Sequence, residues 1–365
     1  MSSGSYFPPP VRAVEIPKPH GGGTRMLGIP VIADRVAQTV VARHLSRRVE
    51  AIFHPDSYGY RPGRSALDAV RKCRERCWRK NWVVEIDIRK FFDSVPWDLL
   101  VKAVDAHTDA VWVKLYVRRW LAAPLVMPDG QLVKRERGTP QGAPVSPVLA
   151  NLFLHYAFDT WMAREFPAVQ FERYADDAVL HCVSEHQARE VLMALEDRMV
   201  EVGLQLHPDK TRIVYCKDEQ RRGSYEHEAF TFLGYTFQAR KNRSRRGNLF
   251  LSFEPGISRE ALTRIGRQVR SWHLHLRTDL TFNELARRVN PMLAGWLNYY
   301  SRFRWWELQS FVMRINAYLV RWIRKKYKRL AAKRKALAKL REIAQRYPRM
   351  FAHWHLVPTQ GALMI

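Results

Sequence analysis

The sequence predicts an α+β fold, in which a mixed body of helices and strands is followed by an all-helical, basic region. Apolar residues recur at helical spacing over 34–49 and 186–202, while a β-branched run occupies 82–88. The composition changes after Phe250, where apolar helical stripes are interrupted by Lys and Arg. These three observations place a mixed domain ahead of a helical one.

The remaining elements also follow from local patterns. Extended apolar stretches on either side of Gly21-Gly22-Gly23 predict a hairpin within residues 5–30. Apolar spacing elsewhere predicts two more helices, a second hairpin and a short strand, at residues 65–82, 145–161, 169–183 and 230–237 respectively. The second of these helices is apolar almost all round, which is typical of a buried helix.

The chain is strongly basic, with 61 Lys and Arg against 35 Asp and Glu and a formal net charge of +26 in 365 residues. Such an excess indicates a polyanionic partner, and nucleic acid is the first expectation. Residues 321–341 contain eleven basic residues and no acidic one. An ordinary solvated helix face mixes both signs, so we favour a phosphate-binding surface there. Its candidate RNA-binding residues are Arg321, Arg324, Lys325, Lys326, Lys328 and Arg329.

The number of cysteines and the hydropathy of the sequence indicate in which cellular compartment the protein is expected. Four cysteines in so long a chain exclude a disulfide scaffold. Cys73 and Cys77 have metal-like spacing, but further Cys or His at ligand spacing is missing, so packed thiols are favoured over zinc. The apolar runs are too short to span a bilayer, and the first residues do not resemble a signal peptide. We therefore expect a cytoplasmic protein that does not bind membranes.

Two acidic sites lie in apolar, strand-like surroundings, where an unpaired carboxylate is costly. Asp87 lies within the run 84–88, and Asp176 and Asp177 lie at the turn of the second hairpin. Asp is common in turns, so the pair alone is ambiguous. If the strand of Asp87 lies beside this hairpin, the carboxylates converge and require Mg²⁺ or Mn²⁺. In a basic protein, such a site indicates phosphoryl transfer on nucleic acid.

The residues around these aspartates resemble the reverse transcriptases. Tyr174-Ala-Asp-Asp177 is similar to their catalytic hairpin, Asp87-Ile-Arg-Lys-Phe-Phe-Asp-Ser-Val-Pro96 to their first metal-binding strand, and Gly138-Thr-Pro-Gln-Gly-Ala-Pro-Val-Ser-Pro147 to the segment that contacts the nascent base pair. Further motifs narrow the resemblance to bacterial group II intron-encoded reverse transcriptase/maturases: Ile16-Pro-Lys-Pro-His-Gly-Gly-Gly-Thr-Arg25, Leu27-Gly-Ile-Pro30, Tyr58-Gly-Tyr-Arg-Pro-Gly63, Phe232-Leu-Gly-Tyr235 and Gly295-Trp-Leu-Asn-Tyr-Tyr-Ser301. One such motif would be weak, but the ordered set is specific.

The resemblance implies a right-hand polymerase with fingers over 1–85, a palm over 86–250 and a helical thumb/maturase region over 251–365. Relatives of this kind usually have helices ahead of the first hairpin, so we expect fingers that are incomplete at the N-terminus. Some relatives also append a Cys/His-rich endonuclease module after the basic helices. This chain has none, so second-strand DNA cleavage is not expected of it.

By the same resemblance, Asp87 and Asp176 bind two Mg²⁺ ions, with Asp177 beside them and Mn²⁺ as the alternative metal. One ion would lower the pKa of a primer 3′-hydroxyl, and the other would hold the triphosphate. Asp93 is interpreted as structural, because residue alternation need not bring it to the metals.

The resemblance assigns five further residues to the nucleotide, namely Lys18, Arg25, Phe92, Gln141 and Gly142. Lys18 and Arg25 would grip the triphosphate, although an ordinary basic hairpin would contain the same residues. Phe92 would lie under the sugar of the nucleotide and exclude a ribose 2′-hydroxyl. The alternative interpretation is that Phe92 is an aromatic residue of the hydrophobic core. Gln141 would hydrogen-bond near the template–nucleotide pair and Gly142 would allow close backbone approach, unless the motif is a plain turn.

The predicted function is RNA-directed DNA synthesis, together with binding of the parent intron RNA to assist splicing and mobility. The expected partners are the intron RNA template, a DNA primer or target, and deoxynucleoside triphosphates. Two alternatives remain open at this point. The protein could be a splicing maturase whose polymerase site is unused, or a reverse transcriptase that serves phage defence or spacer acquisition.

Overall fold

A computed structural model of the chain describes residues 4–17, 23–244 and 246–354. The chain forms two compact units. The first consists of the residues up to Leu233 together with Gln238–Phe253, and the second of Gly234–Phe237 together with the residues from Glu254 onward. The division at residues 85 and 250 that the sequence suggests stays a prediction.

The first unit has mixed α+β structure. Its elements are β1 (Val11–Pro17), β2 (Thr24–Ile29), α1 (Ile32–Val49), α2 (Ala66–Cys77), β3 (Trp82–Asp87), α3 (Phe91–Ser94), α4 (Trp97–Asp105), α5 (Val111–Ala122), β4 (Leu125–Val126), β5 (Leu132–Val133), α6 (Ser146–Leu154), a π-helical turn (His155–Asp159), α7 (Thr160–Glu165), β6 (Gln170–Tyr174), β7 (Asp177–Cys182), α8 (Glu185–Glu201), β8 (Arg212–Tyr215) and β9 (Ala229–Phe232). The α+β class predicted from the sequence is confirmed in this unit.

A four-stranded antiparallel sheet, in the order β6-β7-β3-β8, lies at the centre of the first unit. β3 pairs with β7 from Trp82 opposite Cys182 to Asp87 opposite Asp177. The strand predicted over 82–88 is therefore present, and it lies beside the second hairpin. All residues of β3, and all residues of β7 except Asp177, are buried or partly buried, so both faces of these two strands are covered.

A second sheet, in the order β2-β1-β4-β5, contains the first predicted hairpin. β1 and β2 are antiparallel from Arg12 opposite Ile29 to Pro17 opposite Thr24, while most of the turn between them lies outside the described residues. Gly28 lets this hairpin approach the loop after β5, since a Cβ at Gly28 would lie 3.0 Å from the Pro140 side chain.

Polar side chains fix the starts of the helices that pack on the central sheet. A capping box begins α2, in which Ser65 and Asp68 each accept from the other's backbone N–H. Ser184 caps α8 by accepting from the backbone N–H of Gln187. Such caps each contribute about 1 kcal/mol to helix stability.

The second unit is helical from Arg259 onward. Its helices are α9 (Arg259–Ser271), α10 (Phe282–Arg304), α11 (Gln309–Lys326) and α12 (Lys333–Arg346), with 3₁₀ turns at Leu274–Leu276, Trp305–Leu308 and Lys328–Leu330. The strands β10 (Tyr235–Arg243) and β11 (Leu249–Ile257) precede these helices, but most of their residues, Gln238–Phe253, belong to the first unit. With β9 they form a sheet in the order β11-β10-β9. Within the described residues, every helix is too short or too polar to cross a membrane.

Two predicted helices differ from the structure. The helix predicted over 65–82 ends at Cys77, because turns at Trp78–Lys80 lead directly into β3. The helix predicted over 145–161 is interrupted by the π-helical turn, which apolar spacing alone does not reveal.

Two strand assignments also differ. The strand predicted over 230–237 is divided at Leu233 and Gly234, whose φ angles of 52° and 79° turn the chain from β9 into β10. The expectation of helix throughout the region after Phe250 is wrong for β11, which continues to Ile257.

Candidate active site

The structure brings the three candidate catalytic aspartates together at one edge of the central sheet. Asp87 is the last residue of β3, and it lies opposite Asp177, the first residue of β7. Asp176 lies in the two-residue turn between Tyr174 and Asp177. The first residue of that turn, Ala175, has a φ of 56°, which is unusual for a residue with a side chain.

The three carboxylates repel one another. Desolvation, together with the charges of Asp176 and Asp87, raises the pKa of Asp177 to about 7, although part of this residue is accessible to solvent. Burial and the charge of Asp87 also raise the pKa of Asp176. A cation bound between these groups would relieve the repulsion and restore the ionised forms.

Lys210 supplies one positive charge to this site. Its ammonium donates to the carboxylate of Asp87, which is 17% exposed, whereas the lysine side chain is 60% exposed. The exposed lysine can leave without a large desolvation cost. Clustered carboxylate oxygens are hard donors that suit Mg²⁺ or Mn²⁺, so the residues present fit a divalent metal.

A buried arginine holds the aspartate hairpin in place. Arg173, which is 1% exposed, donates to both carboxylate oxygens of Asp159 at 2.7 and 2.6 Å. The same guanidinium donates to the side-chain oxygen of Asn151 at 3.2 Å and to the carbonyl of Ala175, inside the turn, at 3.1 Å. The turn that contains Asp176 is thus attached directly to a buried ion pair.

The segment 56–59 supports the hairpin from a second direction. The backbone N–H of Tyr58 donates to the backbone carbonyl of Arg173 at 2.8 Å. The backbone N–H of Arg173 in turn donates to the backbone carbonyl of Asp56 at 2.9 Å. A Cβ at Gly59 would lie 2.5 Å from the backbone nitrogen of Ala175, so a larger residue there would displace the turn. Asn151 joins the two supports, since its amide donates to the carbonyl of Gly59 at 2.7 Å.

Phe92 lies on α3, shortly after Asp87, and its side chain is half-buried. Its ring packs edge-on against Phe91, with centroids 5.3 Å apart. The loop that begins at Gly138 is fixed on the backbone of Phe92: Thr139 donates to the Phe92 carbonyl at 2.6 Å, and a Cβ at Gly138 would lie 2.7 Å from the same oxygen. Phe92 therefore packs on the core and is also partly accessible.

The same loop contacts the first hairpin through Gln141 and Gly142. The backbone N–H of Gly28 donates to the carbonyl of Gln141 at 2.8 Å, and Gly142 adopts a φ of 111° close to Gly28. The side chain of Gln141 hydrogen-bonds Asp93, and this bond opposes the rise in the pKa of Asp93 that burial causes.

Of the two basic residues that the resemblance assigns to the triphosphate, the structure describes one. Arg25 is exposed on β2, and its charge opposes the burial-driven rise in the pKa of both Asp176 and Asp93, which places it within electrostatic reach of the aspartates. Lys18 lies outside the described residues.

The basic run over 321–341 extends from the last turns of α11 into α12. Five of its candidate RNA-binding residues are exposed, namely Arg321, Arg324, Lys325, Lys328 and Arg329. Lys326 is only partly exposed, since its ammonium donates to the carbonyl of Leu280 and lies 5.1 Å from the ring centroid of Trp322. Two of the exposed residues also have contacts within the second unit: Arg324 donates to the carbonyl of Ala331 at 2.6 Å, and Arg321 lies 5.5 Å from the ring centroid of Tyr318.

Three supporting residues were missed by sequence reasoning: Lys210, Asp159 and Arg173. The adjacent charged residues Glu172 and Arg173, directly before Tyr174 in the predicted hairpin, are the one signal that could have indicated Arg173. Lys210 and Asp159 have no local signal, because their roles depend on contacts with distant segments.

Two protein-family models match the chain. Residues 16–237, more than half of the chain, match the reverse transcriptase (RNA-dependent DNA polymerase) family. Residues 262–341 match the maturase-specific domain of group II introns, and this match includes most of the second unit and its basic run.

Individual relatives agree with these matches. Protein YkfC of Escherichia coli is 32% identical over an alignment 285 residues long, which covers 67% of this chain and 70% of YkfC. The group II intron-encoded protein LtrA of Lactococcus lactis is 32% identical over 155 residues, which are 42% of this chain and 26% of LtrA. Among solved structures, telomerase from Candida albicans in complex with a telomeric RNA fragment aligns with 100% of this chain and 65% of its own, with a TM-score of 0.50 and 10% identity. That likeness concerns the fold, and it confirms the predicted right-hand polymerase.

The buried pair of Arg173 and Asp159 makes a stability prediction. Arg173→Met would leave the fully buried Asp159 without its partner, and we expect the free energy of unfolding to fall by about 3–5 kcal/mol. Arg164→Met is the matched control, because Arg164 is 70% exposed in its pair with Glu165 and should cost less than about 1 kcal/mol. Urea unfolding followed by circular dichroism measures both, and equal small losses would contradict the assigned role.

Proposed function

This chain belongs to the reverse transcriptase family and carries a group II intron maturase-specific domain, and on that premise we propose that it extends a DNA primer along its intron RNA in the bacterial cytoplasm. The observation that carries the proposal is the convergence of Asp87, Asp176 and Asp177 at one sheet edge. The aspartates are present and supported by a buried framework, which favours a working polymerase site over an unused one.

Members of this family generally depend on divalent metal, and we infer that this chain uses two Mg²⁺ ions held by Asp87 and Asp176. When bound, the ions would lower the pKa of the primer 3′-hydroxyl and neutralise charge on the triphosphate and leaving pyrophosphate. Asp177 would add negative charge beside them. Lys210 neutralises Asp87 when no metal is bound, so the carboxylate is not left alone in a partly buried position.

Deoxynucleoside triphosphates would enter between the first hairpin and the aspartates. Arg25 would supply a positive charge at this entrance, and the resemblance to reverse transcriptases assigns Lys18 to the triphosphate as well. The partly accessible ring of Phe92 would lie beneath the sugar and exclude a 2′-hydroxyl. Gln141 and Gly142 would contact the nascent base pair, since their loop is held against both Phe92 and the first hairpin.

The second unit would bind the intron RNA and so assist splicing and mobility. Five exposed basic residues on the run over 321–341 have few acidic neighbours, so phosphates are the natural counter-charges. Trp305 and Trp306 are 37% and 44% exposed and could stack on unpaired bases.

Removal of one metal ligand tests the polymerase site. Asp176→Asn keeps the side-chain shape but removes its charge, so we expect Mg²⁺-dependent primer extension to fall on the order of a thousandfold, about 4 kcal/mol of activation free energy. Asp98→Asn, an exposed aspartate on α4, is the control and should extend primers at the wild-type rate. Near wild-type extension by Asp176→Asn on an RNA template would exclude the assignment.

Phe92 makes a prediction about sugar selection. Phe92→Ala would open space beneath the sugar, and we expect the preference for deoxynucleotides over ribonucleotides to fall by about tenfold or more, since each factor of ten is about 1.4 kcal/mol. Phe166→Ala, which removes a half-buried aromatic elsewhere, controls for loss of packing. Single-nucleotide incorporation measures both, and unchanged selectivity in Phe92→Ala would leave Phe92 with a packing role only.

The basic run makes a prediction about RNA affinity. Replacing three of its exposed residues, Lys325, Lys328 and Arg329, with Gln should lower the slope of log affinity against log salt by about two to three units, because each phosphate contact releases counterions. The matched variant changes three exposed basic residues of the first unit, Lys72, Arg164 and Arg189, to Gln. Filter binding of intron RNA over a salt series compares them. Equal slopes for the two variants would indicate that the run is an ordinary solvated face.

A further inference from the structure

The strands β10 and β11 form a hairpin whose outer end carries a concentration of positive charge. Residues 229–253 contain five basic residues and no acidic one, and all five basic residues lie within 240–246. They are Arg240, Lys241, Arg243, Arg245 and Arg246, of which the structure describes all but Arg245. Lys241, Arg243 and Arg246 are exposed.

The base of the β10–β11 hairpin is fixed on the first unit. The indole N–H of Trp78 donates to the backbone carbonyl of Phe253 at 3.1 Å, and the Phe253 ring stacks on Phe230 with centroids 6.1 Å apart. The backbone N–H of Glu219 donates to the carbonyl of Leu251 at 3.0 Å, and that of Leu251 donates to the Glu219 carboxylate at 3.1 Å. The outer part of the hairpin accordingly belongs to the first unit.

The outer turn of this hairpin lies far from the catalytic aspartates. β9 lies near the Asp87 end of β3, since the backbone N–H of Thr231 donates to the Glu85 carboxylate at 3.2 Å. Phe253 instead contacts Trp78, just before the start of β3, about 17 Å from the end of that strand. The five residues from Phe253 back to the turn extend about 17 Å beyond this contact. The hairpin therefore projects from the end of the central sheet opposite to Asp87.

Hydrogen bonds close the outer turn. The backbone N–H of Ser244 donates to the carbonyl of Asn248 at 2.8 Å, and that of Gly247 donates to the carbonyl of Ser244 at 2.9 Å. The Nε of Arg243 donates to the carbonyl of Gly247 at 3.1 Å. Within the described residues this is the one polar contact of the Arg243 guanidinium, so its two terminal nitrogens are open to a ligand.

Three positively charged and two apolar side chains are thus presented to solvent around this turn. Lys241 and Arg243 lie two positions apart on β10, which places them on the same face about 7 Å apart. Lys241 and Arg246 make no ion pair with any residue that the structure describes. Leu249 and Phe250, at the start of β11, are 73% and 40% exposed. We call these five residues the hairpin patch.

The loop that carries the hairpin offers little negative charge to neutralise this patch. Three of the four acidic residues within 218–228 are engaged by neighbouring groups: Asp218 by Arg221, Glu219 by Arg222 and the backbone of Leu251, and Glu228 by Lys217. A polyanion is therefore the natural counter-charge of the hairpin patch.

We propose that the hairpin patch binds the sugar–phosphate backbone of a helical segment of the intron RNA. Guanidinium groups bind phosphate oxygens through pairs of N–H donors, which suits Arg243 and Arg246. An A-form helix has a deep, narrow major groove, whereas its wide, shallow minor groove displays the 2′-hydroxyls. A two-stranded hairpin end would lie across that minor groove, with Leu249 and Phe250 on the riboses. Only the identity of the RNA rests on the proposed function.

The hairpin patch would act as an RNA contact separate from the basic run. It belongs to the first unit, whereas the basic run belongs to the second. A single RNA that reaches both surfaces would bind the second one as an intramolecular step, so the two contacts would reinforce each other. Because the hairpin patch lies at the sheet end opposite to Asp87, it would hold RNA without touching the incoming nucleotide.

Replacement of Lys241, Arg243 and Arg246 with Gln tests the proposal. The slope of log affinity for intron RNA against log salt should fall by about two to three units, because three phosphate contacts and their counterions are lost. The control is the variant with Gln at Lys72, Arg164 and Arg189, which removes the same charge from other exposed positions of the first unit. Filter binding measures both, and circular dichroism verifies that both are folded. Equal slopes for the two variants would overturn the proposal.

Competition with short duplexes tests the shape of the partner, beginning with the wild-type chain. An RNA helix should displace labelled intron RNA at a concentration at least about tenfold lower than a B-form DNA duplex of the same sequence and length, and the three-Gln hairpin variant should lose much of this preference. Equal competition by the two duplexes in the wild type, or an undiminished preference in the hairpin variant, would contradict the assignment to an RNA helix.

Nucleotide incorporation separates this contact from DNA synthesis. On a short pre-annealed primer–template, the hairpin variant should incorporate a single nucleotide at the wild-type rate. Loss of incorporation in that variant would place the hairpin patch on the path of polymerisation and overturn its assignment as a separate contact. If the wild type itself failed to incorporate, the proposed polymerase function would be wrong, while the binding measurements would still decide the role of the hairpin patch.

Discussion

Repulsion among three carboxylates at one sheet edge is the constraint on which the rest of the first unit depends. The register of β3 and β7 places Asp87 opposite Asp177, and a slip by one residue would take the two carboxylates out of register. In the absence of metal, two positively charged side chains reduce this repulsion. Lys210 pairs with Asp87, and Arg25 lies within electrostatic reach of Asp176. Both are exposed, so both remain free to meet a triphosphate instead.

Local patterns were sufficient for the central strands and the second hairpin, because burial favours apolar residues in β3 and β7 and because Asp is common in turns. The same patterns could not show that Arg173 pairs with Asp159, or that Lys210 reaches Asp87, since these contacts join segments that are far apart in sequence. The π-helical turn was missed for a similar reason. It changes the number of residues in a single helical turn, and its effect is seen only in the contacts that Asn151 and Asp159 make with Arg173. The closeness of Cys73 to Glu172 and His181 was not visible in the sequence for the same reason.

Charge in the second unit has two components that act differently. Exposed residues of the basic run would attract the phosphates of any RNA sequence, and salt would screen their contribution. Aromatic side chains such as Trp306, over whose ring Arg304 lies at 4.7 Å, offer a flat surface for an unpaired base. Affinity for RNA in general would therefore come from the basic run. Preference for RNA with unpaired bases in its loops and bulges would come from the exposed tryptophans.

The π-helical turn at His155–Asp159 explains how two residues of one helical segment reach the same arginine. Asn151 and Asp159 are eight positions apart, which in a regular α-helix amounts to about 800° and leaves them about 80° from a common face. A π-helical turn takes up one extra residue, so the eight positions act as about seven, or 700°, within about 20° of two full turns. Both side chains then face Arg173, one at 3.2 Å and the other through two bonds at 2.6 and 2.7 Å. The irregular turn thus aligns the polar groups that hold Ala175, and with it the position of Asp176.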